Sequence, residues 1–164
     1  MIRSFKCPHV VVNGEEPILR QAELDPLFES RAEYSFSFEI VTNRTVVPSA
    51  NLLRYFDQWN VSPKLRTSGN ISEERLVPIA LQIFAGLPKA FFKFVIATKS
   101  DITEVCNLTD QYEIPSEQVL LMPEGRTADA LNQKSEWLSE ACVRHGFRFT
   151  TRLHIILWGD ERGR

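Results

Sequence analysis

Short runs rich in β-branched and aromatic residues recur along this chain, separated by longer stretches of helical period. That alternation restricts it to βα units wound around a mainly parallel sheet. Runs at 9–13, 34–41, 59–62, 90–97, 118–122 and 151–158 read as strands, and 18–31, 49–58, 72–86, 100–112 and 127–145 read as helices. Ser72, Ser100 and Thr127 stand where N-caps belong, and Leu131, Trp137, Leu138, Ala141 and Cys142 fall near one face of the last helix. Gly146, just after His145, supplies its stop. No linker rich in Gly, Pro or Ser divides the 164 residues, so 1–164 reads as one domain. Six strands with helical crossovers predict an α/β fold, an open or partial βα barrel. Ligands of such folds collect at the carboxyl ends of the strands, here 13–17, 42–45, 62–64, 97–99, 122–125 and 158–160.

A hydrophobic content of 43% with 24% charged residues is enough for a sizeable core. A net charge of −2 without any long basic block carries no footprint for nucleic acid. Cys7, Cys106 and Cys142 are odd in number and far apart, which fits a reducing compartment and no disulfide framework. The opening MIRSFKCPHVVVNG has too short an apolar centre for a signal peptide or a membrane span, so a cytoplasmic protein is expected.

The first strand ends unusually. In VVVNGEEPIL, residues 10–19, Glu15 and Glu16 are held between Gly14 and Pro17. Carboxylates at a strand end are costly when buried and idle when exposed, so this turn is expected to face a polar ligand or to be a solvated remnant of one that did.

Longer motifs agree with a known family. QVLLMPEGRTADALNQKSEWLSEACVRHGFRFTTRLHIILWGDERG, residues 118–163, resembles the C-terminal part of the 7-carboxy-7-deazaguanine synthases, radical-SAM enzymes of queuosine biosynthesis. NVSPKL (60–65) resembles that family's Ser-Pro-Lys segment, VVVNGEEPIL its strand ending in Gly-Gly-Glu-Pro, and IVTNRT (40–45) its Glu-Thr-Asn-Gly-Thr. The resemblance implies a radical-SAM-type barrel and ring contraction of 6-carboxy-5,6,7,8-tetrahydropterin to 7-carboxy-7-deazaguanine. It implies SAM, a [4Fe–4S] cluster and Mg2+ as the family's cofactors. By position, Gly14, Glu15, Glu16, Pro17, Thr42 and Asn43 would stand at SAM, with the turn's acceptors toward its ammonium. Ser62, Lys64, Glu124, His154 and Trp158 would line a pocket for a small heterocyclic ligand. There Lys64 would pair with a carboxylate, Glu124 accept from a guanidine-like ring edge, and Trp158 stack. The competing structural readings are a surface Lys64, a hydrogen-bonded strand His154, and core roles for Trp158, Phe149, Trp59 and Trp137.

Departures from the family pattern fall on its radical chemistry. The family's first strand, its Cys-x-x-x-Cys-x-x-Cys loop and its magnesium threonine belong before residue 8, where this sequence has seven residues, and Cys7, Cys106 and Cys142 do not reproduce that spacing. Glu15 replaces a glycine, Val41 a glutamate and Arg44 a glycine of the family motifs. The expectation is a degenerate member, non-catalytic alone and without a metal site or cofactor of its own, acting as a binding or assembly subunit. The alternatives are part of a split radical-SAM lyase and a purely structural subunit of a larger complex. With its first strand missing, 9–13 becomes a sheet edge. A homodimer, a partner chain or the segment 1–6 is expected to cover it.

Overall fold

A computed structural model describes residues 7–14, 16–24, 36–43, 46–69, 77–161. Six parallel strands run in sequential order: β1 (His9–Val12), β2 (Ser37–Thr42), β3 (Gln58–Val61), β4 (Ala90–Ile96), β5 (Val119–Pro123) and β6 (Arg148–Phe149). Between and after them lie α1 (Ala50–Tyr55), α2 (Pro78–Ala85), α3 (Ser100–Tyr112), α4 (Ala128–His145) and α5 (Leu153–Trp158). An unreversed strand order with right-handed crossovers stacks the helices on one face, as in a βα barrel rather than a doubly wound sheet. Because β1 and β6 do not pair with each other, the barrel is open, and β1 is an edge among the described residues.

Strand periodicity explains the two faces. Along β4, Ala90, Phe92, Phe94 and Ile96 are fully buried, while Phe91, Lys93 and Val95 are half-buried on the opposite side. The buried set continues through Phe38 and Ile40 of β2, Trp59 and Val61 of β3, and Val119 and Leu121 of β5. It forms one core with Leu52, Leu81, Phe84, Val105, Leu108 and Leu138 from the helices. Trp59 sits at its centre, 5.3 Å from the Phe56 ring and 5.2 Å from the Phe84 ring. The open face is polar instead. His9 Nε2 meets Glu39 Oε2 at 3.0 Å, Asn60 donates to Glu39 Oε1, and Gln58 donates to Asn60 at 3.2 Å.

Several helix ends match their sequence signals. Thr127 Oγ1 accepts from Ala130 N at 3.2 Å, and Gly146 closes α4 with φ 69°, the left-handed geometry that favours glycine. Other expectations need correcting. Ser100 is the first residue of α3 rather than its cap; the Asp101 carboxylate instead accepts from Ala97 N at 2.8 Å and Thr98 N at 2.9 Å. The predicted helix 49–58 stops at Tyr55, because Asp57 turns back to β2 by bonding both Phe38 N (2.8 Å) and Phe38 O (2.9 Å). Residues 17–20 form a 3-10 turn that continues as helix over 21–24. Most important, 151–158 is not a strand. β6 is the two-residue Arg148–Phe149, paired with Leu120 and Leu121, and Leu153–Trp158 is a short helix ended by Gly159. Five apolar residues broken only by His154 carry no clear period that separates strand from helix. Ser72, Glu15, Arg44 and Thr45, the predicted stretches 25–31, 34–35 and 72–76, and the segment 1–6 lie outside the described residues.

Trp59 offers a test of the core. Its side chain is fully buried, and its indole Nε1 has no hydrogen-bond partner among the described residues. Truncation leaves a large cavity, whereas phenylalanine also removes an unsatisfied donor. Trp59→Ala is expected to lower unfolding free energy by about 3–5 kcal/mol in urea titrations. Trp59→Phe is expected to cost less than half as much.

Candidate functional site

The turn after β1 is shaped by Glu16. Its backbone is extended (φ −153°), Pro17 opens the following turn, and its carboxylate accepts from Ile18 N at 3.2 Å. The same carboxylate accepts from Thr42 Oγ1 at 2.9 and 2.8 Å and from Asn43 N at 2.8 Å. Glu16 is only 7% exposed, so this is a buried, multiply hydrogen-bonded acid that ties the end of β1 to the end of β2. The carboxylate is therefore engaged inside the protein, an outcome absent from both sequence expectations for the turn. Gly14 is exposed beside it, and a Cβ there would meet nothing within 4 Å. Of the residues placed by resemblance at SAM, Glu16, Thr42 and Asn43 thus converge on one another, and Gly14 and Pro17 flank them.

The ends of β3, β4 and β5 enclose a cleft of about 180 Å³, lined among others by Lys64, Thr67, Val95, Ala97, Glu124 and Arg152. Each wall has a local cause. Ser62 N extends the β2–β3 ladder by donating to Thr42 O at 2.8 Å, and its hydroxyl donates to Lys93 O at 3.3 Å. That hydroxyl holds two strands in register rather than facing the cleft. Pro63 and Leu65 are buried on either side of half-buried Lys64, which fixes the direction of the lysine. Thr67 Oγ1 donates to Asp101 Oδ1 at 3.1 Å, so Asp101, 2% exposed, joins the loops after β3 and β4.

On the third wall, Lys134 of α4 donates to Glu124 Oε2 and to the Glu124 carbonyl, both at 2.8 Å. That hydrogen bond keeps the Glu124 carboxyl below the usual carboxylate range, with Arg152 contributing in the same direction. Gly125 lets α4 come this close, since a Cβ there would lie 3.0 Å from a Leu131 methyl.

Besides Ser62, two predicted pocket residues are not in the cleft. His154 and Trp158 lie on α5 rather than on a strand; His154 is exposed, and Trp158 is 48% exposed. Only Ile155 of that helix is buried. Their place is taken by Arg152, which the sequence reading missed along with Lys93, Glu39 and Asp101. Phe149 is likewise exposed, Trp59 is core, and Trp137 is half-buried with the Lys99 ammonium 5.9 Å from its ring. A second hollow, of about 290 Å³, lies on the helical side between α3 and α4 beside Trp137 and His145. Of the strand-end residues only Lys99 reaches it.

The cysteines do not make a site for an iron–sulfur cluster. Cys106 and Cys142 belong to α3 and α4 in the helical layer, whereas Cys7 is exposed just before β1. Cys142 donates to Arg148 O at 3.5 Å, and burial pushes its thiol up to about 11. Burial, reinforced by Asp110, also raises Cys106, opposite to what a thiolate ligand requires. Among the described residues no group of three or more His, Cys, Asp or Glu is placed to hold a metal ion. No helix among them is long and apolar enough to cross a membrane.

No family model matches the chain. Relatives named 7-carboxy-7-deazaguanine synthase do. The protein from Pyrobaculum aerophilum is 35% identical over 95% of this chain and 68% of its own length. The Halobacterium salinarum protein is 30% identical over 93% and 65%, and the Rhodopirellula baltica protein 28% over 94% and 63%. The chain therefore spans about two thirds of the length of the curated relatives it matches. An open parallel βα sheet with its cleft at the strand ends, together with 35% identity along nearly the whole sequence, identifies the chain as a member of the 7-carboxy-7-deazaguanine synthase family.

Proposed function

We propose that these 164 residues act as the ligand-holding portion of a 7-carboxy-7-deazaguanine synthase-type domain. They bind a carboxylated bicyclic heterocycle of the deazaguanine or pterin class. By themselves they do not begin radical chemistry, so the chain works as a binding or assembly subunit. The observation that carries this reading is the cleft at the ends of β3, β4 and β5, where Lys64 and Arg152 face Glu124. A cation pairs with a ring carboxylate, and a carboxylate accepts from the amino edge of a guanine-like ring. Glu124 Oε2 is held by Lys134, which leaves Oε1 for such an edge. The product named in the relatives, 7-carboxy-7-deazaguanine, has both features.

The second reading is a lyase completed by a cluster-bearing segment or partner. Its support is the turn after β1, which keeps its order through Glu16, Thr42 and Asn43. β1 gives it further support as an edge strand carrying Val11 at 49% exposure, a surface on which another strand adds.

Calorimetric titration with 7-carboxy-7-deazaguanine tests the first reading. Binding is expected, and Lys64→Met or Glu124→Gln is each expected to weaken it by about 10-fold. Absence of binding by a folded chain would sink the ligand assignment. The two readings separate when the polypeptide is incubated anaerobically with iron, sulfide, SAM and a reductant. No 5′-deoxyadenosine is expected from the chain alone, and its formation would exclude the non-catalytic role.

The Glu16 staple has a separate expected outcome. Glu16→Ala leaves the buried Thr42 hydroxyl and the Asn43 amide without their acceptor and should destabilise the chain by about 2–4 kcal/mol in denaturant titrations. Glu16→Gln keeps an acceptor and should cost clearly less.

A further inference from the structure

The hollow on the helical side is closed at both ends by specific contacts. α3 and α4 each follow a strand of the parallel sheet, so they lie side by side and run the same way. At one end the Lys99 ammonium, just before α3, sits over the Trp137 ring of α4, 5.9 Å from its centroid. At the other, Cys106 Sγ lies 3.6 Å from His145 Nδ1, and the His145 ring stacks on Phe147 with 5.5 Å between centroids. Trp137, Ala141 and His145 are spaced by four residues and form one row along α4. The middle of that row is an alanine. Ile102 of α3 lines the same gap, which encloses about 290 Å³. Contacts at both ends keep the helices from closing over the small residue, so the space is built into the packing.

The charges around the gap are unpaired. Glu140 and Arg144 line it from α4 one turn apart, a spacing at which opposite charges ordinarily pair. Neither makes an ion pair or a side-chain hydrogen bond among the described residues, and Lys99 has no carboxylate partner among them either. Two permanent cations against one carboxylate leave an excess of positive charge beside an apolar floor of Ile102, Ala141 and Trp137. A doubly charged phosphate would meet repulsion from Glu140, whereas a single carboxylate on a flat apolar body matches both the floor and the charge. The Arg144 guanidinium suits such a group, because it takes a carboxylate through two parallel hydrogen bonds. The volume lies at the small end of the range for ligand pockets, about 300–1,000 Å³, which limits the ligand to one or two rings.

We infer that the hollow between α3 and α4 is a second ligand site, for a small planar aromatic carboxylate. Its ring packs between Ile102, Ala141 and Trp137, Arg144 holds its acid group, and Lys99 adds positive charge. The site lies on the helical side of the sheet, and it does not depend on the heterocycle proposed for the strand-end cleft.

Calorimetric titration with 2-naphthoate tests this on the parent chain, Ala141→Phe, Arg144→Gln and Lys64→Met, with circular dichroism checking that each is folded. The amide of the same ring serves as the uncharged probe. The parent is expected to bind 2-naphthoate and to bind the amide at least about 10-fold more weakly. Ala141→Phe fills the gap and is expected to abolish binding of both. Arg144→Gln is expected to weaken the acid about 10-fold and the amide by less than about 2-fold. Lys64→Met, in the strand-end cleft, is expected to change neither by more than about 2-fold. Four outcomes would each overturn the site: no binding by the parent, binding untouched by Ala141→Phe, equal losses of acid and amide in Arg144→Gln, or a loss in Lys64→Met as large as in Arg144→Gln. If Ala141→Phe does not fold, Arg144→Gln, at an exposed position, decides the matter with the same two probes.

Discussion

A parallel sheet wound in unreversed order places every crossover helix on one side, and most of the structure follows from that constraint. The helix-facing residues, Phe38, Ile40, Trp59, Val61, Phe92, Phe94 and Leu121, are driven together by burial and form the core. The other face receives no crossover helix among the described residues and remains amphipathic, with Glu39, Asn60 and Lys93 set among valines and Phe91. The strand ends then open toward one rim, where short connections bring residues from distant parts of the sequence within reach of one small ligand.

Two buried carboxylates hold that rim together, each by collecting backbone and hydroxyl donors at loop ends. Glu16 joins β1 to β2, and Asp101 joins the loop after β3 to the loop after β4. A buried carboxylate with several donors is stable where an isolated one would not be, and the donors are satisfied in return. This resolves the difficulty of an acid held between a glycine and a proline. Glu16 is an organising group of the fold.

The cations near the cleft behave in the opposite way. Lys134 has a partner in Glu124, whereas Lys93 of β4 is half-buried on the open face of the sheet. Cys106 and Cys142 lie in the helical layer, away from that cleft, and Cys7 is exposed just before β1.

Local sequence was enough for whatever depends on local period. The alternation of Phe92, Phe94 and Ile96 with Lys93 and Val95, the cap at Thr127 and the stop at Gly146 are all expressed over a few residues, and so were the strand ends that hold Lys64 and Glu124. The run Leu153–Trp158 was not legible, because five apolar residues broken only by His154 suit either a strand or a helix. Tertiary packing chose a helix anchored by Ile155 and so moved His154 and Trp158 away from the cleft. Arg152 and Asp101 escaped notice because their roles depend on which strands become neighbours. That a carboxylate at 16 meets a hydroxyl at 42, or a hydroxyl at 67 a carboxylate at 101, follows from chain crossings that no local pattern encodes. The sequence by itself determined the βα architecture and the family; only the folded sheet decided which charges are paired with which, because pairing is set by distances through space.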